Sequence, residues 1–167
     1  MCIRDRRQGV ATAISLKELK SGAIFVEIVF GKHFSDPWTA MELAKAIEGL
    51  GYKRVTLRCD QEPSIIGLAK RIKNCRDVGV DIEYAPRGDS NANGLAERGV
   101  RDHEGQLTAM YGSLMDRLGE RLHVNNPTVS WMVRQAADLK TKMEVRKRTG
   151  KTAYEYLEGR RYRGVLT

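Results

Sequence analysis

Two acids, Asp60 and Glu97, sit in surroundings from which phosphate chemistry can be built. Asp60 closes a short apolar run, Val55-Thr56-Leu57-Arg58-Cys59, and Glu97 follows Asn93-Gly94 at the start of a long stretch with helical periodicity. Thirty-six residues separate them, room for a helix, a strand and a loop, so the chain can return the second carboxylate to the end of the strand bearing the first. Carboxylate oxygens are hard donors suited to Mg²⁺, and a divalent ion at a strand end can neutralise phosphate charge and activate a nucleophile. Glu62 is a third carboxylate nearby, but its place just before Pro63 fits a helix cap better than a metal ligand.

The elements that must position these acids follow in order. Residues 10–18 and 23–30 alternate like two strands around Leu19-Lys20-Ser21-Gly22, a hairpin signal. In the second, Ile24, Val26, Ile28 and Phe30 share one face, while Phe25, Glu27 and Val29 make the other face only partly apolar. Asp36-Pro37 opens a helix with an acidic cap and a proline in its first turn, and Ala40, Leu43, Ala44, Ile47 and Leu50 give it one buried face before Gly51 ends it. The strand from Val55 to Cys59 leads into a helix begun at Pro63, with Ile65, Ala69 and Ile72 inward and Asn74 near its end. Val80, Ile82 and Tyr84 alternate with Asp81 and Glu83 in a further strand, and this strand–helix–strand punctuation implies parallel pairing.

Residues 86–93, PRGDSNAN, read as a polar loop without an apolar anchor, expected to be mobile. A helix is predicted from Gly94 to about Leu122, with Val100, Leu107, Met110, Leu114, Leu118 and Leu122 along one stripe. Gly99, Gly105 and Gly112 each weaken it by roughly 1 kcal/mol relative to alanine and invite a kink. Asn126-Pro127 caps a last major helix with Val129, Met132, Val133, Ala136 and Met143 inward, and Thr152 to Leu157 predicts a short helical turn. Trp38 and Trp131 are expected in the core or at a subunit interface, Cys59 as a buried small apolar residue, and His103 and His123 at the surface.

Composition bounds the partners. At 167 residues and 41% apolar, the chain is one domain of ordinary size with a real core. No apolar run approaches the roughly 20 residues of a membrane span, so no membrane partner is expected. The N-terminal stretch lacks the apolar core of a signal peptide, which points to an intracellular location. Cys2, Cys59 and Cys75 show no paired spacing and the three histidines are scattered, which argues against a structural zinc site. A net charge of +8 favours a polyanionic partner.

The segments CDQEPSI at residues 59–65 and GDSNANGLAER at residues 88–98 resemble the catalytic core of retroelement integrases, in the DDE integrase and transposase superfamily. GKTAYEYLEGRRY at residues 150–162 resembles the segment that follows that core in retrotransposon polyproteins, so the likeness spans about residues 10–161. It implies an α/β, ribonuclease-H-like three-layer fold with a mixed sheet flanked by helices, its first strand here missing or incomplete. It also implies an integrase-type polynucleotidyl transferase that cuts and joins DNA strands by two-metal-ion phosphoryl transfer with Mg²⁺ or Mn²⁺. Asp60 matches the second family acid and Glu97 the third, each catalytic and metal-binding. Asn93 and Gly94 match the loop-to-helix junction that aims Glu97, and Ser90, Asn91, Asn93, Arg98 and Arg101 are the implied DNA contacts. The implied partners are DNA, as element ends and as target, and further copies of the chain; an active element would act in the nucleus.

The family's first acid belongs on a strand upstream of the hairpin, where Asp5 is the sole acid. Asp5 lies in MCIRDR, which fits nothing that follows and looks like a translated adapter scar, so residues 1–8 are read as a non-native leader. Residues 9–145 then form the integrase-core-like domain and residues 146–167 a basic C-terminal extension, the stretch 140–163 carrying nine Lys or Arg against three Glu. Without the first acid the chain would be inactive as it stands, because a lost carboxylate removes a metal ligand. Two further readings stay open: a catalytically dead DNA-binding fragment or domesticated module, and a ribonuclease-H-like nuclease without joining activity.

Overall fold

The computed structural model describes residues 2–5, 9–29, 37–76, 79–86 and 90–165. Alternating apolar residues build the first sheet. In it β1 (Cys2–Asp5) pairs antiparallel with β2 (Gly9–Lys17), Cys2 opposite Thr12 and Asp5 opposite Gly9. β2 is in turn hydrogen-bonded to β3 (Ile24–Val29). The turn joining β2 to β3 falls at the predicted place: the Glu18 amide donates to the Ala23 carbonyl at 2.8 Å and the Gly22 amide to the Glu18 carbonyl at 3.0 Å. The first strand is thus short, four residues long, and is supplied by the stretch read as a leader.

The remaining elements follow as α1 (Pro37–Gly49), β4 (Val55–Cys59), α2 (Pro63–Asn74), β5 (Val80–Tyr84), α3 (Ser90–Leu118), α4 (Pro127–Met143) and α5 (Ala153–Glu158). They form two compact units, one of residues 1–28 with 98–167 and one of Val29–Glu97. Phe30 and Asp36, expected in the second strand and as the cap of α1, lie outside the described residues.

In the first unit Ala13, Ile24 and Val26 of the sheet meet Leu107 of α3 and Met132, Val133, Ala136 and Ala137 of α4. Each large apolar side chain buried there contributes on the order of 1.5–3 kcal/mol relative to exposure. Polar bonds fix how α4 lies on β3: Thr141 Oγ1 accepts from the Ile24 amide at 3.1 Å, and Arg134 pairs with Glu27 at 2.7 Å. The chain after α4 folds back as well. A capping box between Thr152 and Glu155 starts α5, Tyr162 packs edge-on to Tyr154 with ring centres 5.2 Å apart, and the Lys142 ammonium lies 4.5 Å from the Tyr162 ring centre.

Several expectations change on this scaffold. α3 begins at Ser90, so Asn93 and Gly94 lie inside the helix and not at a loop junction. It runs through Gly99, Gly105 and Gly112 as one helix and ends before Gly119, whose φ is 71°. Its apolar face is held by the core, which outweighs glycine's intrinsic cost. At Gly99 the missing side chain also makes room, since a Cβ there would meet Lys17 Cδ at 2.8 Å. His103 is buried, 0% exposed, against the surface position expected for it. It stands one turn before Leu107 and one turn after Gly99, in the middle of the buried stripe, so the packing of α3 decides its place.

Trp38 and Trp131 are each 51% exposed and so are not core residues, because each occupies the helix face opposite the buried one. Leu118 and Met143, both expected inward, are 49% and 51% exposed: each is the last residue of its helix, beyond the packed part of its stripe.

In the second unit α1 buries Thr39, Ala40, Leu43, Ala44 and Ile47, and α2 buries Leu68, Ala69 and Ile72. β4 and β5 pair in parallel, from Val55 opposite Val80 to Cys59 opposite Tyr84, as the strand–helix–strand pattern predicted. Arg58–Glu83 at 2.9 Å and Arg54–Asp81 at 2.8 Å line its solvent side and, being exposed, add little stability.

Candidate metal and nucleic-acid site

Asp60 follows β4 directly, at the carboxyl end of the parallel pair, the end where ligands gather in open α/β sheets. The place is held by backbone bonds. The Ala85 amide donates to the Cys59 carbonyl at 3.0 Å, carrying the ladder one residue past β5, and the Gln61 side-chain amide donates to the Ala85 carbonyl at 2.9 Å. Gln61 therefore stitches the two strand ends together just beyond the acid. Its residue type alone gave no signal of that role.

The Asp60 carboxylate is exposed and accepts the Gln61 amide at 2.7 Å. Cys59, half-buried beside it, is held toward the thiol form: burial pushes its pKa up, and the Asp60 charge adds in the same direction. Glu62 occupies the cap position of α2 but makes no side-chain cap; its carboxylate accepts the Ser64 hydroxyl at 2.6 Å instead. The cap expected of it is thus absent, as glutamate has one methylene more than the residues that cap well.

Glu97 lies about two turns into α3 and is exposed. It shares a unit with Asp60, and among the described residues no ion pair engages either acid. Ser90, Asn91 and Asn93 fall in the first turn of α3, while Arg98 and Arg101 are exposed further along it. Among the described residues no group of three or more His, Cys, Asp or Glu is placed to hold a metal. A complete protein cage is not what Mg²⁺ requires: it is ordinarily bound by one or two carboxylates, with waters and substrate phosphates filling the shell.

The crystal structure of the catalytic core domain of BIV integrase superposes with a TM-score of 0.57, covering 95% of this chain and 91% of that one at 20% identity. The chain has the fold of a retroviral integrase core. At that identity the integrase-core likeness carries the architecture, α/β and ribonuclease-H-like, and no residue roles. No family model matches the sequence, and no curated protein matches it. Among the described residues no helix is long and apolar enough to cross a membrane.

Proposed function

We propose that this protein is the catalytic core of a retroelement integrase, a polynucleotidyl transferase that cuts and joins DNA strands. The observation that carries the reading is the integrase-core fold over 95% of the chain, combined with an acid at the carboxyl end of β4. Asp60 and Glu97 would hold Mg²⁺ or Mn²⁺, which supplies charge neutralisation at the phosphate undergoing in-line displacement. Asp60, fixed by the Gln61–Ala85 stitch, presents its carboxylate without rearrangement of the strand end. Glu97 would present the second carboxylate from a rigid helix, and Arg98 and Arg101 would meet phosphate oxygens, with Ser90, Asn91 and Asn93 contacting DNA near the scissile bond. Residues 9–145 would form the core and residues 146–167 its basic extension. The working protein would be an oligomer acting on element ends and target DNA, in the nucleus of its host.

A second reading, a DNA-binding module without chemistry, is favoured by the absence of a three-ligand group among the described residues. Asp5, which closes β1 opposite Gly9, is the acid on which a full triad would depend. A strand-transfer assay with labelled donor ends and a plasmid target, run with Mg²⁺ and with Mn²⁺, decides between the two. Joined product that disappears in Asp60→Asn and in Glu97→Gln supports the enzyme. Cleavage without joining points to a nuclease, and binding without either reaction to the dead module.

A further inference from the structure

The cationic turn after α4 is not used by the reading above. Residues 146–151, Arg-Lys-Arg-Thr-Gly-Lys, place four cations and no acid in six positions. The turn is tightly closed. The Arg146 amide donates to the Lys151 carbonyl at 3.0 Å, the Gly150 amide donates to the Arg146 carbonyl at 2.8 Å, and Gly150 has a φ of 65°. Arg146 Nη1 and Arg148 Nη2 both donate to one acceptor, the Lys20 carbonyl at the tip of the β2–β3 hairpin, at 2.6 and 3.1 Å. The Arg146 guanidinium lies against Gly22, where a Cβ would come within 2.6 Å of its Cζ. Four cationic residues, Arg146, Lys147, Arg148 and Lys151, thus share one tight turn that two of them fasten to the hairpin tip.

Among the described residues no ion pair engages the cations of the turn, and the carboxylates lining the pocket beside Arg146 are those of Asp102 and Glu144. Glu144, just before it, is paired with Lys140 at 2.6 Å. Glu18, the acid of the hairpin, accepts the Lys20 and Ser21 amides and the Ser21 hydroxyl. Burial alone would raise the Glu18 carboxyl, but hydrogen bonds from the Ser21 side chain and the Lys20, Ser21 and Gly22 amides outweigh it and leave its pKa below the usual value. Its charge is therefore spent on shaping the turn. Two guanidiniums sharing a neutral carbonyl repel each other, and each keeps donors in a fork that matches phosphate geometry. A polyanion would relieve the repulsion and use those donors.

We infer that the hairpin tip and the 146–151 turn together form a sequence-independent docking surface for the DNA backbone, remote in sequence from Asp60 and Glu97. The inference rests on the reading of the chain as a DNA-acting protein. The preorganised guanidiniums position the surface, and Lys147 and Lys151, exposed and without an ion pair among the described residues, contact phosphates directly. The test uses the full chain, a fluorescent duplex of random sequence, EDTA in the buffer, and a salt series from 50 to 200 mM read by anisotropy. The double variant Lys147→Glu/Lys151→Glu should lose at least tenfold in affinity at low salt. The slope of log affinity against log salt should fall by about 1.8, at about 0.9 per lost phosphate contact. Lys147→Gln/Lys151→Gln should lie between it and the parent, and melting curves should be unchanged.

Parent-like affinity and slope in both folded variants would overturn the surface while leaving the proposed function standing. Failure of the parent chain to bind duplex at any salt would sink both. Binding of the parent to phosphatidylserine vesicles but not to duplex would overturn DNA as the partner and assign the patch to membranes. A variant that melts early is replaced by Lys147→Gln alone, which alters no backbone bond.

Discussion

Gln61 donates its side-chain amide to the Ala85 carbonyl at 2.9 Å, so the residue next to Asp60 ties the end of β4 to the end of β5. That bond makes the position of the acid a property of the sheet and not of a loose loop. Gln61→Ala should cost about 1 kcal/mol, the usual net worth of a hydrogen bond. In a chain of this size that lowers the melting temperature by about 2–4 °C. Any strand-transfer activity should fall further than stability does, because a displaced ligand acts on the transition state; equal activity in the variant and the parent would mean that the stitch is structural only.

Asp60→Asn and Glu97→Gln remove charge from exposed side chains and should change stability by no more than about 0.5 kcal/mol. Each should weaken Mn²⁺ binding measured by calorimetry in the absence of DNA and should abolish strand transfer. Unchanged Mn²⁺ affinity in both would separate these acids from metal binding, whatever the activity shows.

His103 predicts a pH dependence of stability. Its Nε2 lies 2.8 Å from the Val133 carbonyl and must donate to it, which leaves Nδ1 as the unprotonated nitrogen, buried and without a hydrogen-bond partner among the described residues. Burial lowers its pKa most, and Lys140 adds to that. The Val133 carbonyl and Glu104 oppose it but do not prevail. A depressed histidine pKa means that the unfolded chain binds the proton more readily. Stability should therefore be full above the free imidazole value of about 6.5 and decline as pH falls from there toward the folded-state value. Thermal melts from pH 7.5 to pH 5 should show the decline in the parent and a flatter profile in His103→Leu.

Met132→Ala should be severe. Met132 is 2% exposed in the cluster formed by β2, β3, α3 and α4, and truncating such a side chain costs about 2–5 kcal/mol through lost burial and an unfilled cavity. Urea denaturation should show the midpoint falling with little change in slope.

Gly22→Ala joins stability to binding. The φ of 82° is strained for any residue with a Cβ, by roughly 1–2 kcal/mol, and the new methyl would strike the Arg146 guanidinium. Both the melting temperature and the duplex affinity should drop. A loss of stability with intact DNA affinity would mean that the Arg146 position does not matter to binding.

From β2 onward the element order was legible because it follows from local rules, whereas β1 was missed because its residues were set aside as a leader. Period-two alternation marked β3 and β5, three-and-four spacing marked α1, α2 and α4, and Pro63 and Pro127 stand at the helix starts they signalled. The parallel pairing of β4 with β5 followed from the helix between them. Asp60 at a strand end and Glu97 on a helix were readable for the same reason, since each depends on its neighbours in sequence.

Long-range packing decided the rest. His103 is polar by type, yet the stripe running from Gly99 to Leu107 carries it into the core, and no local rule weighs that burial against its desolvation. Trp38 and Trp131 are apolar by type, yet their helices bury the opposite face. The meeting of Arg146 and Arg148 on the Lys20 carbonyl spans 126 and 128 residues of chain. Residue types alone determined which segments could be helix or strand and on which of them Asp60 and Glu97 would stand. Only the tertiary structure chose which faces met, because burial is a property of the assembled core and no short segment possesses it.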